Sequence, residues 1–588
     1  MNKNKLIAAM ALSLSLSLTS CSDDDKNAQQ ASQETATKVV ESVQSQSQSD
    51  LLSYIPAETP VLAYFIQDAN NPLPQNLKDK MDKMYSGIGD IIKMAIQEKL
   101  DKSTDDADKA EMTSFMDKWL TADGIKKLGL NIEENEMALY AVDLFPVVRV
   151  TLAKSHSLGE VLDELMTKAN ESKPDTATVK QVNGSKVYQF GDKELQVMIS
   201  LSSNTLVASL APTREVDNLM PKLLGFEKPS KTITQSDAYH DILNKYHYLT
   251  NSLYWVNIRD LADYFVNPDK HQSAMLDVMK VQDNMLSADC KTEILGIFDK
   301  FPRLIGGSTL LDEHNMTSHM IIEMTDGLGA KLEKLSGRIP MGDDLSALSY
   351  GVSFDVAAAK SLALEFVNNI EAQPYKCELM AGMNAQATAM KAKLNQPLPP
   401  FVGNFKGINV VVDELDLDMS KKDPQEMIKN LKGKVLVAVD NPEALQGMAE
   451  MMMPDLQKLG IKVDGGAVNI SSLIPVSGSQ IPVNLDHVFL AMGKETVGVS
   501  IGENTDVTLT KAASADATSN LLEVSVTAEL YKNIFTGLSE VASNLPEEAQ
   551  NQLKMQQSML SDMLWWEKES ATLDFTDRGF EVNVDIDY

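Results

Sequence analysis

Two Ile-Pro pairs stand 284 residues apart in this chain, and each opens the same succession of patterns. Ile55-Pro56 precedes the strand-like run Val61-Leu62-Ala63-Tyr64-Phe65, and Ile339-Pro340 precedes Leu348 to Phe354. Val148, Val150 and Leu152 alternate ahead of a helix pattern, as do Val435, Val437 and Val439, shifted by 287. Val197 to Leu210 matches Val488 to Ile501 without a gap, at an offset of 291. Leu253 to Phe265 resembles Glu523 to Phe535, a strand running into an amphipathic helix. Both series then close on a hairpin, Thr309 to Met324 in one and Ala571 to Tyr588 in the other. Identity is low, but a pattern order kept at a nearly constant offset predicts two copies of one unit. The expected organisation is a signal peptide over 1–20, a lipidated tether over 21–50, a first half over 51–338 and a second over 339–588.

The repeated unit reads as strand, helix, hairpin. Ser157 and Glu160 have capping-box spacing, and Val161, Leu162, Leu165, Met166 and Ala169 then form one apolar stripe. In the second half Asn441-Pro442-Glu443 offers a cap and a first-turn proline, followed by Leu445, Met448, Met452, Leu456 and Leu459. From Phe580 to Tyr588 apolar and polar residues alternate strictly, the mark of a strand with one buried and one wet face. The predicted fold class is α+β: two similar halves, each an antiparallel sheet with helices packed on one face.

The N-terminus reads as an address. Lys3 and Lys5 precede an apolar run, Leu6 to Leu18, too short at ~1.5 Å per residue to cross a ~30 Å hydrocarbon core. The run ends in Leu18-Thr19-Ser20-Cys21, which resembles the lipobox of bacterial lipoproteins, whose cysteine is acylated and becomes the mature N-terminus. Cys21 is therefore the expected lipidation residue. In the sorting rule of enteric-type lipoproteins, aspartate directly after the cysteine retains the protein in the inner membrane. Here that place is Ser22, with Asp23 following. The resemblance thus implies the periplasmic face of the outer membrane, with the inner membrane as the alternative. Ser22 to Asp50 is polar and lacks aromatic residues, a composition that cannot offset the entropy of ordering it.

Charge narrows the partners. The net charge is −30, and losing Lys3 and Lys5 takes it to −32. The arginines, Arg149, Arg214, Arg259, Arg303, Arg338 and Arg578, are scattered. Such a chain repels nucleic acid and anionic lipid headgroups, which call for clustered basic groups.

The reactive side chains assemble into no recognisable centre. His240 and His247 are two turns apart on a predicted helix, too far for a close metal pair, and His314 and His319 fall on different faces of a hairpin. His156, His271 and His487 stand alone. Glu414, Asp416 and Asp418 alternate on one strand face; a solvated face is the expectation, and hard-cation binding the alternative. Methionine is abundant at 31 residues, with Met451-Met452-Met453 and the helically spaced Met555, Met559 and Met563 prominent. Core filling is expected of them; thioethers also line adaptable apolar grooves and select Cu(I). Of Trp565-Trp566, one ring should enter the core and the other lie near the surface. No catalytic, cofactor-binding or metal residue is assigned.

With Cys21 taken by lipid, Cys290 and Cys377 are the remaining thiols in an oxidising compartment, and a disulfide between them competes with two separate buried thiols. Tyr54-Ile55-Pro56-Ala57-Glu58-Thr59-Pro60, soon after lipobox and tether, resembles the opening of uncharacterised bacterial envelope lipoprotein families with domains of unknown function. That resemblance implies an envelope location and carries over no functional residue. Two functions follow as expectations: a non-catalytic lipoprotein that binds or supports another envelope protein, or a carrier for an apolar ligand such as a lipid or lipopeptide.

Overall fold

The computed structural model describes residues 49–80, 106–131, 134–172, 177–342, 346–417, 421, 428–474, 485–534 and 564–588. The chain divides into two compact units, one ending at Ile322 and the other running from Glu323 to Tyr588. Residues 323–336 belong with the second unit for a physical reason. Met324 N–H donates to Arg578 O, Lys331 pairs with Glu365, and Ser336 bonds Asp574.

The strands of the first unit are β1 (Val61–Phe65), β2 (Met137–Val142), β3 (Phe145–Thr151), β4 (Ala177–Val182), β5 (Ser185–Gly191), β6 (Leu195–Leu201), β7 (Thr205–Pro212), β8 (Ser252–Asn257), β9 (Arg303–Leu311) and β10 (Asn315–Glu323). All pair antiparallel, in the order β4-β5-β6-β7-β3-β2-β1-β8-β9-β10. Leu62, Tyr64, Ala138, Tyr140, Val147, Val207, Leu253, Trp255 and Ile305 form the buried face, packed with Leu223 and Ile242 from the helices Val216–Leu223 and Asp237–Tyr246. A second cluster lies where helix Leu158–Ser172 sets Met166 against Tyr188, Ile199 and Leu201, as its stripe predicts.

The second unit contains β11 (Ile339–Pro340), β12 (Leu348–Ser353), β13 (Phe405–Leu417), β14 (Ile428–Val439), β15 (Val468–Asn469), β16 (Val488–Met492), β17 (Thr496–Ile501), β18 (Ala517–Thr518), β19 (Leu522–Thr527), β20 (Lys568–Phe575) and β21 (Gly579–Asp587). Their order is β15-β16-β17-β14-β13-β12-β19-β20-β21, again antiparallel, with a separate β11–β18 ladder. Neither set of described ladders closes into a barrel. Asn441 caps helix Pro442–Met452 by accepting from Ala444 N–H, with Pro442 in the first turn, as the sequence predicts.

The order β6-β7-β3-β2-β1-β8-β9-β10 in the first unit is the order β16-β17-β14-β13-β12-β19-β20-β21 in the second. The Ile-Pro pairs keep step with it. Pro56 bridges Thr232 ahead of β8, while Ile339 and Pro340 pair with Thr518 and Ala517 ahead of β19. In the first unit this opening also clamps β1: Trp255 Nε1 donates to Thr59 O, and Thr59 Oγ1 bonds Ala141.

One expectation about the sheets fails. The polar parity of the second unit's strands is not a wet face, because Asn409, Lys434, Ser500, Thr572 and Glu581 are buried on it. Each has a polar partner: Asn409 donates to Pro340 O, Lys434 meets Asp413, Ser500 meets Thr505, Asn583 reaches Thr572, and Arg578 grips Glu581. Satisfied in this way, the polar side chains tolerate burial.

Candidate binding surface

The apolar parity of the same strands carries a surface that is covered at its β16 end, where Leu456, Leu459 and Ile461 pack on Leu490, Met492 and Val497, and open farther across the sheet. In β14, Val435-Leu436-Val437-Ala438-Val439 is apolar at every position. Leu436 and Ala438 point to the closed face, where Leu436 packs with Leu509, Ala512 and Ala491 beneath helix Thr505–Ala513. Val435 and Val437 must then point the other way. Register extends that row across the sheet: Leu490, Val499, Val435, Val410, Tyr350, Val524, Ala571 and Val584 stand side by side on consecutive strands. The flanking row, Met492, Val497, Val437, Ile408, Val352, Leu522, Leu573 and Val582, is apolar throughout as well. Val499, Val435, Val410 and Tyr350 remain exposed at the centre. At ~4.8 Å between strands these four span about 14 Å.

One carboxylate shares this face. Glu569 pairs in register with Val526 and Ile586, and burial holds its carboxyl above the usual glutamate value. Toward the end of β13, Glu414 and Asp416 are exposed, and Glu414 bonds Lys432 at 2.7 Å. That is the solvated strand end expected of them; Asp418 lies outside the described residues.

The first unit has the corresponding row: Ile199, Ala208, Val148, Leu139, Ala63, Tyr254, Gly306 and Met320. Here the Tyr254 ring lies over Gly306, where a Cβ would stand 2.1 Å from it. Burial pushes the Tyr254 hydroxyl up to about 12.

The histidines are placed differently from expectation. His247 is not on the helix with His240; it ends helix Asp237–Tyr246 in a left-handed conformation, φ 57°. His271 does not stand alone. Its Nε2 lies 2.9 Å from Asp263 Oδ2, and its ring stacks on Tyr264 at 3.9 Å. Asp263 is buried and also receives Lys270 Nζ and Asn267 Nδ2. Burial raises its pKa, but these three hydrogen bonds outweigh that and hold it well below the usual carboxylate range. The cluster ties helix Ile258–Val266 to the short helix Pro268–His271, so its chemistry is structural. His319 is buried, with Nδ1 2.7 Å from the Tyr248 hydroxyl, while His314 is exposed in the turn, outside both strands, so strand parity does not place it.

Arg149 is a residue that sequence reading passed over. It is buried in β3, its guanidinium 3.7 Å from the Tyr54 ring centroid, and it donates to Leu224 O. Its signal was one cation in the apolar run Val147 to Val150. Cys290, in helix Ala288–Phe298, and Cys377 are each fully buried. Cys21, Met555, Met559 and Met563 lie outside the described residues. Trp566 is buried and Trp565 half-buried, as anticipated. Met166, Met198, Met220 and Met492 fill cores as expected, but Met451, Met452 and Met453 are all exposed: helix Pro442–Met452 ends there, and Pro454 starts a separate turn that buries Leu456 instead. Beside that helix an open groove of about 520 Å³ is lined by Glu443, Gln446, Glu450 and Ile461 among others.

Among the described residues no helix is long and apolar enough to cross a membrane. No family model, no curated protein and no solved structure matches the chain.

Proposed function

We propose that this is a non-catalytic lipoprotein, anchored through Cys21 at the periplasmic face of the outer membrane, that binds another envelope protein. It belongs with the uncharacterised envelope lipoproteins that its lipobox, tether and Ile-Pro opening resemble. The observation carrying the binding role is the in-register row Val499, Val435, Val410 and Tyr350, exposed on an otherwise apolar sheet face. Contiguous exposed apolar surface rimmed by polar groups marks interaction sites. Charge complementarity specifies the partner. With a net charge of −30 and Glu569 carrying no ion pair among the described residues, the fitting occupant is an apolar protein segment carrying basic residues.

The same reading takes the chain as two copies of one fold, over 51–338 and 339–588. What supports it is the common strand order. In addition Val148 and Val435, paired by the sequence offset of 287, hold equivalent places in the two rows, as do Ala208 and Val499. Superposition of experimental coordinates of the two halves tests it. A Cys290–Cys377 disulfide is part of the proposal, on the grounds of compartment chemistry and full burial of both cysteines.

The test is a photo-crosslinker at position 410 in the full-length protein in its own envelope, followed by native mass spectrometry. A cross-linked protein, lost when Tyr350, Val435 and Val499 are changed to Ser, supports the proposal. A co-purified lipid in its place supports the apolar-ligand carrier and overturns it.

A further inference from the structure

Three methionines near the end of helix Pro442–Met452 break the rule that apolar side chains leave water. Met451 is 78% and Met452 83% exposed, and Met448 is exposed on the preceding turn. They stand at i, i+3 and i+4. Residues at those spacings are neighbours, with Cβ atoms about 5–6 Å apart. Helical side chains also lean toward the N-terminus, so Met451 and Met452 reach back over Met448. Each thioether hangs on three rotatable bonds, enough freedom for three sulfurs to converge on one point.

We propose that Met448, Met451 and Met452 form a binding site for a soft monovalent cation, Cu(I) or Ag(I). Thioether sulfur is a soft neutral donor that takes such ions in preference to hard ones. The electrostatics agree. The sulfurs lie at the carbonyl end of the helix, where the macrodipole favours positive charge. Lys458, just beyond the helix, is taken up by Asp455. This inference is independent of the proposed sheet-face interaction.

The decisive comparison separates sulfur chemistry from apolar character. The variant Met448→Leu/Met451→Leu/Met452→Leu keeps the volume and hydrophobicity of the turn and removes the three proposed thioether ligands, leaving the neighbouring Met453 as an internal control. Full-length protein in detergent, with any free thiols alkylated, is titrated against the Cu(I)–bicinchoninate complex, and separately with Ag(I) by calorimetry. Wild type should withdraw one more equivalent of metal than the variant, and each single Met→Leu change should weaken that site about tenfold. X-ray absorption should show sulfur neighbours only. Equal stoichiometry and affinity in wild type and triple variant, with both folded by circular dichroism, overturn the assignment.

Discussion

Val410 of β13 and Val435 of β14 face each other in register across adjacent strands, 39% and 40% exposed, while their chain neighbours Val411 and Leu436 are buried to 1% and 0%. One residue's step therefore separates surface from core. Val410→Thr with Val435→Thr keeps the β-branching of the strands and should change stability by less than about 1 kcal/mol. Leu436→Ala should cost about 2–5 kcal/mol. Urea unfolding measures both, and a large loss in the threonine variant would mean the row is covered after all.

Glu569 should respond to pH in the opposite sense to a salt-bridged acid. Its folded pKa is raised by burial, so folding favours the protonated form, and stability contributed by that form is lost as pH rises above the ordinary glutamate value of 4.5. Glu569→Gln is expected to raise the unfolding midpoint at pH 7 and to leave it unchanged at pH 3. A loss at pH 7 would show that the carboxylate has a cationic partner.

Asp263 is the contrasting case. Its folded pKa is depressed, so its contribution is present above the unfolded value of about 4 and falls away as acid protonates it. Asp263→Ala strands Lys270, His271 and Asn267 and should cost about 1–3 kcal/mol at pH 7. Thermal melts of wild type and variant should converge as pH falls through the acid range.

Tyr254 titrates on the alkaline side. Its hydroxyl is pushed from 10.0 up to about 12 by burial, so wild-type stability should fall between those two pH values. Tyr254→Phe should flatten that part of the curve in chemical denaturation.

Cys21→Ala should release the protein from the membrane fraction or leave it unprocessed, and palmitate labelling should mark the wild type alone. The unfolded, unreduced protein should yield no titratable thiol from Cys290 and Cys377. In the chain-entropy model, closing a loop of some 86 residues constrains the unfolded state by ~4–5 kcal/mol, so reduction should lower the unfolding midpoint.

Much of the element order was legible without coordinates. The capping Asn441 and the stripe from Val161 to Ala169 are local signals, written in residues that touch one another along the chain. The paired offsets placed Val148 with Val435 and Ala208 with Val499, because register in a sheet follows the two-residue alternation that sequence displays. What the alternation could not say is which face is covered. Val435 and Leu436 are equally apolar, and only helix Thr505–Ala513, packing on one side, makes Leu436 core and leaves Val435 in water. Likewise Glu581 reads as a wet strand residue until Arg578 and Thr576 enclose it, and Met451 and Met452 read as core until their helix ends before reaching any. Periodicity is a property of the chain with itself. Burial depends on which element arrives from far along the sequence, and that was settled only when the tertiary structure brought the elements together.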